Sequence, residues 1–464
     1  MNAASKVRVE GFGVALVAPL ALGSLLNPIN SSMIATALAP IGRAFGVGVS
    51  ESVLLVAALY VTSAIAQPTM GKLADRYGAR RVFLLGLVIV LLGGIAGGVA
   101  PSFGALVVVR VILGVGTSAA YPSAMRVLRN HSRRIGRETP RSVLGVLSLA
   151  ALSSAAIGPT LGGFLTGAAG WRAVFLVNVP LALIGIVLCL LFVERDEPRE
   201  AGAKGASIDL LGIGLFAGAV VAAMLFGMSL KRDPHWWLAP VAVVLFTALI
   251  VHSRRPDVAE PFLDIRMLAT NRALSATYAR FGLTCLLTYA VFYGYAQWME
   301  DALGYTATEA GIATLPLSIT AAVATLVSGR TKTLRAPLAF AAFGLLAGYI
   351  GLLLLGDGAS RLGIATVGVV FGVAQGTNSV ANQAAVYEQS PASEIGTTSG
   401  LQRTAGYLGA VGASSLLGFF YGKRASSEGL HSLALTMVVL SALLCAGTLL
   451  DPSLHLVKKP QPAT

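Results

Sequence analysis

Gly71-Lys72-Leu73-Ala74-Asp75-Arg76-Tyr77-Gly78-Ala79-Arg80-Arg81 stands between two long apolar runs, 52–71 and 82–100. An apolar run of about 20 residues, rising ~1.5 Å per residue as a helix, crosses the hydrocarbon core of a bilayer. Two such runs joined by a short charged segment form a membrane hairpin with its turn at the surface. Glycine allows the turn to be tight. One aspartate among four cations can hold a charge network between helix ends, closed in one state and open in another.

The same alternation fills the chain on both sides of this hairpin. Of 464 residues, 55% are hydrophobic and 12% charged, and mean hydropathy is +0.76. Soluble globular proteins carry roughly a quarter charged residues. An ordinary soluble enzyme, a disordered chain and a disulfide-stapled secreted domain are excluded, which leaves an all-α polytopic membrane protein. Apolar runs centre near 14–38, 52–71, 82–100, 104–125, 143–168, 173–193, 209–229, 236–251, 273–298, 307–328, 337–355, 361–386, 399–421 and 432–450. They predict fourteen transmembrane helices, helix 1 to helix 14. Lys6 and Arg8 before the first run resemble a signal-peptide start. That run continues to about Leu38 and many more follow, so it reads as a span.

Formal net charge is +13. With the N-terminus inside, inner segments, from Lys6 and Arg8 to Lys458 and Lys459, hold 24 of the 34 Lys and Arg; outer loops hold seven. The positive-inside rule then places both termini in the cytoplasm and accounts for the charge without nucleic acid. Arg110, Arg280 and Arg403 remain inside apolar runs. Cys189, Cys285 and Cys445 lie in apolar runs and the histidines in or beside polar loops. Neither a disulfide framework nor a metal site is expected, and no cofactor.

Polar residues at membrane depth are costly and face a bundle interior or a wet cavity. Four helices carry them at helical spacing. Helix 1 has Asn27, Asn30 and Ser31; helix 4 has Arg110, Thr117 and Tyr121, with Gly114 on the same face; helix 9 has Tyr289, Tyr293, Gln297 and Glu300; helix 12 has Gln375, Asn378 and Asn382. Helices 3, 7, 8, 11 and 14 are almost wholly aliphatic. With helices 7 and 8 set aside, the polar helices are the first and fourth of each six-helix half, the pattern of two six-helix bundles around a midplane site. Each stripe alone can also merely bond helix to helix. Four at corresponding positions favour a shared cavity touched by Asn27, Asn30, Arg110, Tyr121, Tyr289, Tyr293, Gln297, Asn378 and Asn382. Arg110 can set a positive field there, which favours a neutral, amphipathic or anionic substrate, or can pair with backbone carbonyls.

Residues 71–81 resemble the signature loop of the major facilitator superfamily, and the resemblance runs from end to end. Arg110-x-x-x-Gly114-x-Gly116 is similar to the family's fourth-helix motif. Gly145, Gly158-Pro159 and Gly162-Gly163 have the spacing of its so-called antiporter motif, with Ser154 where that motif has another glycine. Helices 7 and 8, with Glu260-Pro-Phe-Leu-Asp264, resemble the 14-helix drug:proton antiporter branch, the multidrug efflux type.

The resemblance implies a major facilitator fold. Residues 11–195 and 270–451 would form the two six-helix bundles, 196–269 a linker with two accessory helices, and 452–464 a cytoplasmic tail. Gly71, Asp75, Arg76, Gly78, Arg80 and Arg81 would form the inner gate. It implies a proton-coupled exporter of small molecules in the inner membrane, surrounded by lipid, not an enzyme, with nothing that demands more than a monomer. One departure stands out. Ser31 occupies the position of that branch's helix-1 aspartate, and no Asp or Glu lies deep in any helix. Glu300 is then the candidate proton carrier. The departure favours uncoupled transport or uptake as second reading; an intramembrane sensor or enzyme comes last. Gly114-Val-Gly116-Thr-Ser-Ala119 fits a dinucleotide pattern, yet sits inside a span.

Overall fold

The computed structural model describes residues 11–47, 52, 54–196, 209–229, 234–258, 261–305, 307–331, 333–421 and 425–454. Lys6, Arg8, Glu260, Lys458 and Lys459, and most of the expected tail, lie outside the described residues. Two compact units divide the chain. The first is Met1–Ala206 with Ser390–Thr404; the second is Ser207–Gln389 with Ala405–Thr464.

The first unit contains α1 (Val14–Phe45), α2 (Leu54–Tyr77), α3 (Ala79–Gly98), α4 (Phe103–Ser118), α5 (Ala120–Ile135), α6 (Arg141–Ala169), α7 (Ala173–Leu176) and α8 (Asn178–Phe192). The second contains α9 (Leu210–Ser229), α10 (Leu238–Ser253), α11 (Ile265–Thr270), α12 (Arg272–Asp301), α13 (Ala307–Ala313), α14 (Leu315–Ser328), α15 (Arg335–Leu353) and α16 (Arg361–Gln389). Next comes α17 (Ile395–Tyr421), whose first residues, through Thr404, belong to the first unit, and then α18 (Ser427–Leu450). Among the described residues there is no strand.

Every apolar run is helical, and among the described residues ten helical stretches are long and apolar enough to cross a membrane. Three of the remaining runs fall short for physical reasons. Helix α10 has only 16 residues. Helices α12 and α17 carry Arg280, Gln297, Gln402 and Arg403, which lower their mean hydropathy. Three runs are interrupted rather than continuous. Breaks at Ala119, Val177 and Thr314 come two or three residues before Pro122, Pro180 and Pro316. Proline supplies no N–H to the carbonyl four residues back and disfavours helical backbone just before it.

The first unit's core gathers Met33 and Ile34 of α1, Leu55 and Leu59 of α2, Val109 and Leu113 of α4, and Trp171 and Phe175. Helix α1 lies against α6 with little between them. A Cβ at Gly158 would overlap the Ser32 hydroxyl, and one at Gly162 the Met33 carbonyl. Small residues let backbones approach this closely, the main source of helix adhesion in lipid. The second unit's core gathers Tyr295 and Trp298 of α12, Tyr349 of α15, Phe371 of α16 and Met437 of α18. Here α14 meets α16 in the same way: a Cβ at Gly372 or Gly376 would overlap the carbonyl of Leu317 or Ala321. The start of α9 is fixed by Asp209. It accepts from Gly212 N (2.7 Å) and Phe262 N (2.9 Å), and its Oδ1 lies 2.8 Å from His252 Nε2 at the end of α10.

Candidate functional site

In the charged hairpin of the first unit, Asp75 ends α2 and caps the start of α17. Its carboxylate accepts from Gly396 N (3.0 Å), Thr397 N (2.8 Å) and Thr397 Oγ1 (2.9 Å). An anion at a helix N-terminus satisfies free N–H groups and opposes the positive end of the dipole. Arg126 of α5 reaches the same place: Nη1 is 3.7 Å from Asp75 Oδ1 and donates to the Ala392 carbonyl. Below this cap α17 is zipped to α2. Gly396 meets Gly71, Gly400 meets Gln67 and Pro68, and Thr404 Oγ1 donates to Ala64 O (2.5 Å). A side chain at Gly71 would overlap the Gly396 carbonyl.

The rest of the hairpin is held by a residue that sequence reasoning missed. Asp196, just beyond α8, accepts from Arg80 N (3.1 Å) and Arg81 N (3.0 Å) and so caps α3. Gly78 has φ of 106°, which L side chains rarely adopt, and a Cβ there would overlap the Asp196 carboxylate. Arg80 Nη2 donates to Leu190 O (2.8 Å), and Arg76 lies over the Tyr77 ring at 5.5 Å. Arg134 pairs with Glu194. The acidic cluster Glu194-Arg195-Asp196 after helix 6 was the available signal for this partner.

The polar stripes differ in how they are used. In α1, Asn27 Nδ2 donates to Ser63 Oγ (2.8 Å) and Thr117 Oγ1 (2.9 Å). Asn30 and Asn178 exchange amide bonds of 2.6 and 2.9 Å. Asn178 was not among the residues expected from sequence. Ser31 Oγ bonds back to Asn27 O (2.9 Å). Arg110 is 1% exposed; its Nε donates to Leu55 O (2.8 Å) and its Nη1 to Asn30 O (3.2 Å). The buried residues Asn27, Asn30 and Arg110 therefore cross-link α1, α2, α4 and α8. Tyr121 is also buried, and its hydroxyl donates to Gln402 Oε1 (3.3 Å).

In the second unit, Tyr293, Gln297 and Glu300 are exposed along α12, and the half-buried Tyr289 stacks on Tyr293 with ring centroids 5.6 Å apart. On the opposite face the buried Tyr295 bonds Ile364 O (2.9 Å). Asn378 and Asn382 are buried in α16, where Asn382 Nδ2 donates to Asn378 Oδ1 (2.5 Å). Gln375 lines a small recess with Thr288, Val291, Phe292, Leu317, Leu345 and Phe371. Arg280 is tied to Asp451 (2.9 Å) and Thr277 Oγ1 (2.7 Å).

Of the helix-5 motif, Gly158 and Gly162 lie on α1, whereas a Cβ at Gly163 would meet nothing within 4 Å. Gly145 stands in the first turns of α6; Pro159 and Ser154 lie in the same helix, and their side chains are outside the described residues.

A charge-capped hairpin, membrane-length apolar helices and glycine-zipped pairs define a polytopic membrane protein. The chain matches the family model "Major Facilitator Superfamily" over residues 20–414 and belongs to that family. It is 34% identical over 425 residues to the uncharacterized MFS-type transporter YwoD of Bacillus subtilis, covering 90% of this chain and 93% of that one. It is 25% identical over 331 residues to the multidrug export protein EmrB of Escherichia coli, 68% of this chain and 61% of EmrB. The fold is similar to that of the human organic anion transporter MFSD10 (TM-score 0.68, 17% identity, 94% of this chain and 99% of that one). The protein is thus a membrane transporter and not an enzyme. Transporters of this family bind small molecules, often together with protons.

Proposed function

We propose that the protein exports a small molecule, of drug or metabolite type, across the inner membrane by alternating access coupled to protons. The observation that carries this reading is the close seam of α1 on α6 over Gly158 and Gly162, at the antiporter motif's spacing. The likeness to EmrB, named a multidrug export protein, supports the same direction. In this reading fourteen helices cross the bilayer, both termini are cytoplasmic and a monomer suffices.

Asp75, with Gly71, Arg76, Gly78, Arg80 and Arg81, acts as the inner gate. Its bonds to Gly396 and Thr397 form a set that can be held or released as a unit. Tyr289, Tyr293, Gln297, Asn378 and Asn382 contact substrate; Asn27, Asn30 and Arg110 hold the helices of the first unit together. Glu300, exposed near the outer end of α12, carries the proton. A second reading, transport without proton coupling or uptake, is favoured by Ser31, whose hydroxyl bonds its own helix where a titrating group would stand.

Inside-out vesicles carrying an imposed pH gradient, challenged with a broad compound panel, test the proposal. Compound-dependent collapse of the gradient that is absent in Arg110→Ala vesicles is the expected result. Counterflow of a compound without any proton movement would replace the first reading by the second.

A further inference from the structure

Three arginines lie inside apolar runs, and the structure treats them differently. Arg110 is buried and bonded to two carbonyls, and Arg280 is buried and ion-paired to Asp451. Arg403 is half-buried, and among the described residues it forms no ion pair. It sits about 12 Å along α17 from Ile395, at ~1.5 Å per residue. A charge at membrane depth without a counter-ion among the described residues marks a place where solvent or a ligand supplies one.

The surroundings of Arg403 are built, not incidental. Its guanidinium carbon lies over the Tyr121 ring, 4.0 Å from its centre. The Tyr121 hydroxyl donates to the buried Gln402, so the ring cannot turn away. Thr404 beside it is bonded to Ala64, which fixes the helix on α2. Three carboxylates of this unit are engaged elsewhere. Asp75 is held by Gly396, Thr397 and Arg126; Asp196 by Arg80 and Arg81; Glu194 by Arg134. A guanidinium stacked on an aromatic face keeps its edge N–H groups for a planar anion, which it binds as a fork. The ring edge beside it suits an apolar body attached to that anion.

We propose that Arg403, seated on Tyr121, is the anion-recognising group for the carried compound, so that amphipathic organic carboxylates are a substrate class of this protein. This rests on the export reading above for the word "carried", but its chemistry does not depend on direction or coupling.

The test is binding to the purified full chain in detergent, without any gradient, of naphthylacetate and of its neutral isostere naphthylacetamide. Wild type is expected to prefer the carboxylate about tenfold, the worth of a charge-assisted bond. Arg403→Gln brings the ratio close to one, and Arg403→Lys, which keeps the charge but loses the fork, lowers it about threefold. Equal affinities in wild type, binding of neither compound, or an unchanged ratio in Arg403→Gln would overturn the proposal. Where Arg403→Gln is not monodisperse, Arg403→Lys decides: a lowered ratio supports the guanidinium and an unaltered one rejects it. A protein that keeps the preference but moves no protons would cost the export reading and spare this one.

Discussion

The polar stripe of α1 and the polar stripe of α12 occupy corresponding places in the two halves of the sequence, yet the molecule uses them in opposite ways. In the first unit Asn27, Asn30 and Arg110 are buried and spend their donors on neighbouring helices. In the second unit Tyr293, Gln297 and Glu300 are exposed. There the buried polar work is done on the other face of α12 by Tyr295, and by Tyr349 and Tyr421, whose hydroxyls bond the carbonyls of Leu287 and Gly294. A hydroxyl on an aromatic body satisfies one carbonyl and fills core volume at once. An asparagine or arginine satisfies several groups and ties more helices together. The difference teaches that helical spacing reveals a polar face but not what lies against it.

The largest effects should come from the glycine seams, which both units share. Gly162→Leu and Gly376→Leu force a branched side chain into a neighbouring carbonyl, and overpacking of this kind costs about 1–3 kcal/mol or more. Both should lose monodisperse protein on size-exclusion chromatography, whereas Gly163→Leu, which meets nothing, should elute as wild type. A normal profile for Gly162→Leu would mean that α1 and α6 do not touch as described.

Next in size is Arg110. Truncation to Ala strands the carbonyls of Leu55 and Asn30, at about 1–3 kcal/mol. Arg110→Ala should lower the melting temperature in detergent and abolish transport; near-normal flux would leave it a packing role only. Asp75→Asn keeps the shape of the cap and removes its charge. It should slow transport several-fold while insertion stays intact, and an unchanged rate would remove the gating role.

The Asp209 cap gives a pH-dependent effect. Burial pushes its carboxyl up, but the N–H groups of Phe262 and Gly212 and the His252 ring outweigh this and hold it below its ordinary value of 3.8. A folded-state value below the unfolded one adds stability that is fully present above 3.8 and fades as the pH falls through the depressed value. Asp209→Asn should melt lower than wild type at neutral pH by about 1 kcal/mol, within the range of a lost cap, and the gap should close in acid. A gap that persists below that range would mean the carboxylate charge is not what matters.

Much of this was legible beforehand. The apolar runs are helical because a helix satisfies every backbone group within the segment and needs no water to do so. The hairpin at 71–81 declared its charges, and Gly158 and Gly162 their close packing. What the residues could not declare were partners far away in sequence. Asp196 meets Arg80 across 116 positions, and Thr397 meets Asp75 across 322. The proline breaks within helices 4, 6 and 10 were present as Pro122, Pro180 and Pro316, but apolar runs do not show where a helix interrupts itself. Asn178 stayed hidden because one amide at the start of a run forms no stripe.

The contrast between the two stripes is tested most directly by measuring melting temperature and flux side by side for Asn30→Ala and Gln297→Ala in reconstituted liposomes. The account predicts that Asn30→Ala, which strands Asn178, lowers the melting temperature clearly. Gln297→Ala should leave it within the experimental spread while reducing flux. A stable Asn30→Ala protein with impaired flux, together with a Gln297→Ala protein that transports normally, would contradict it.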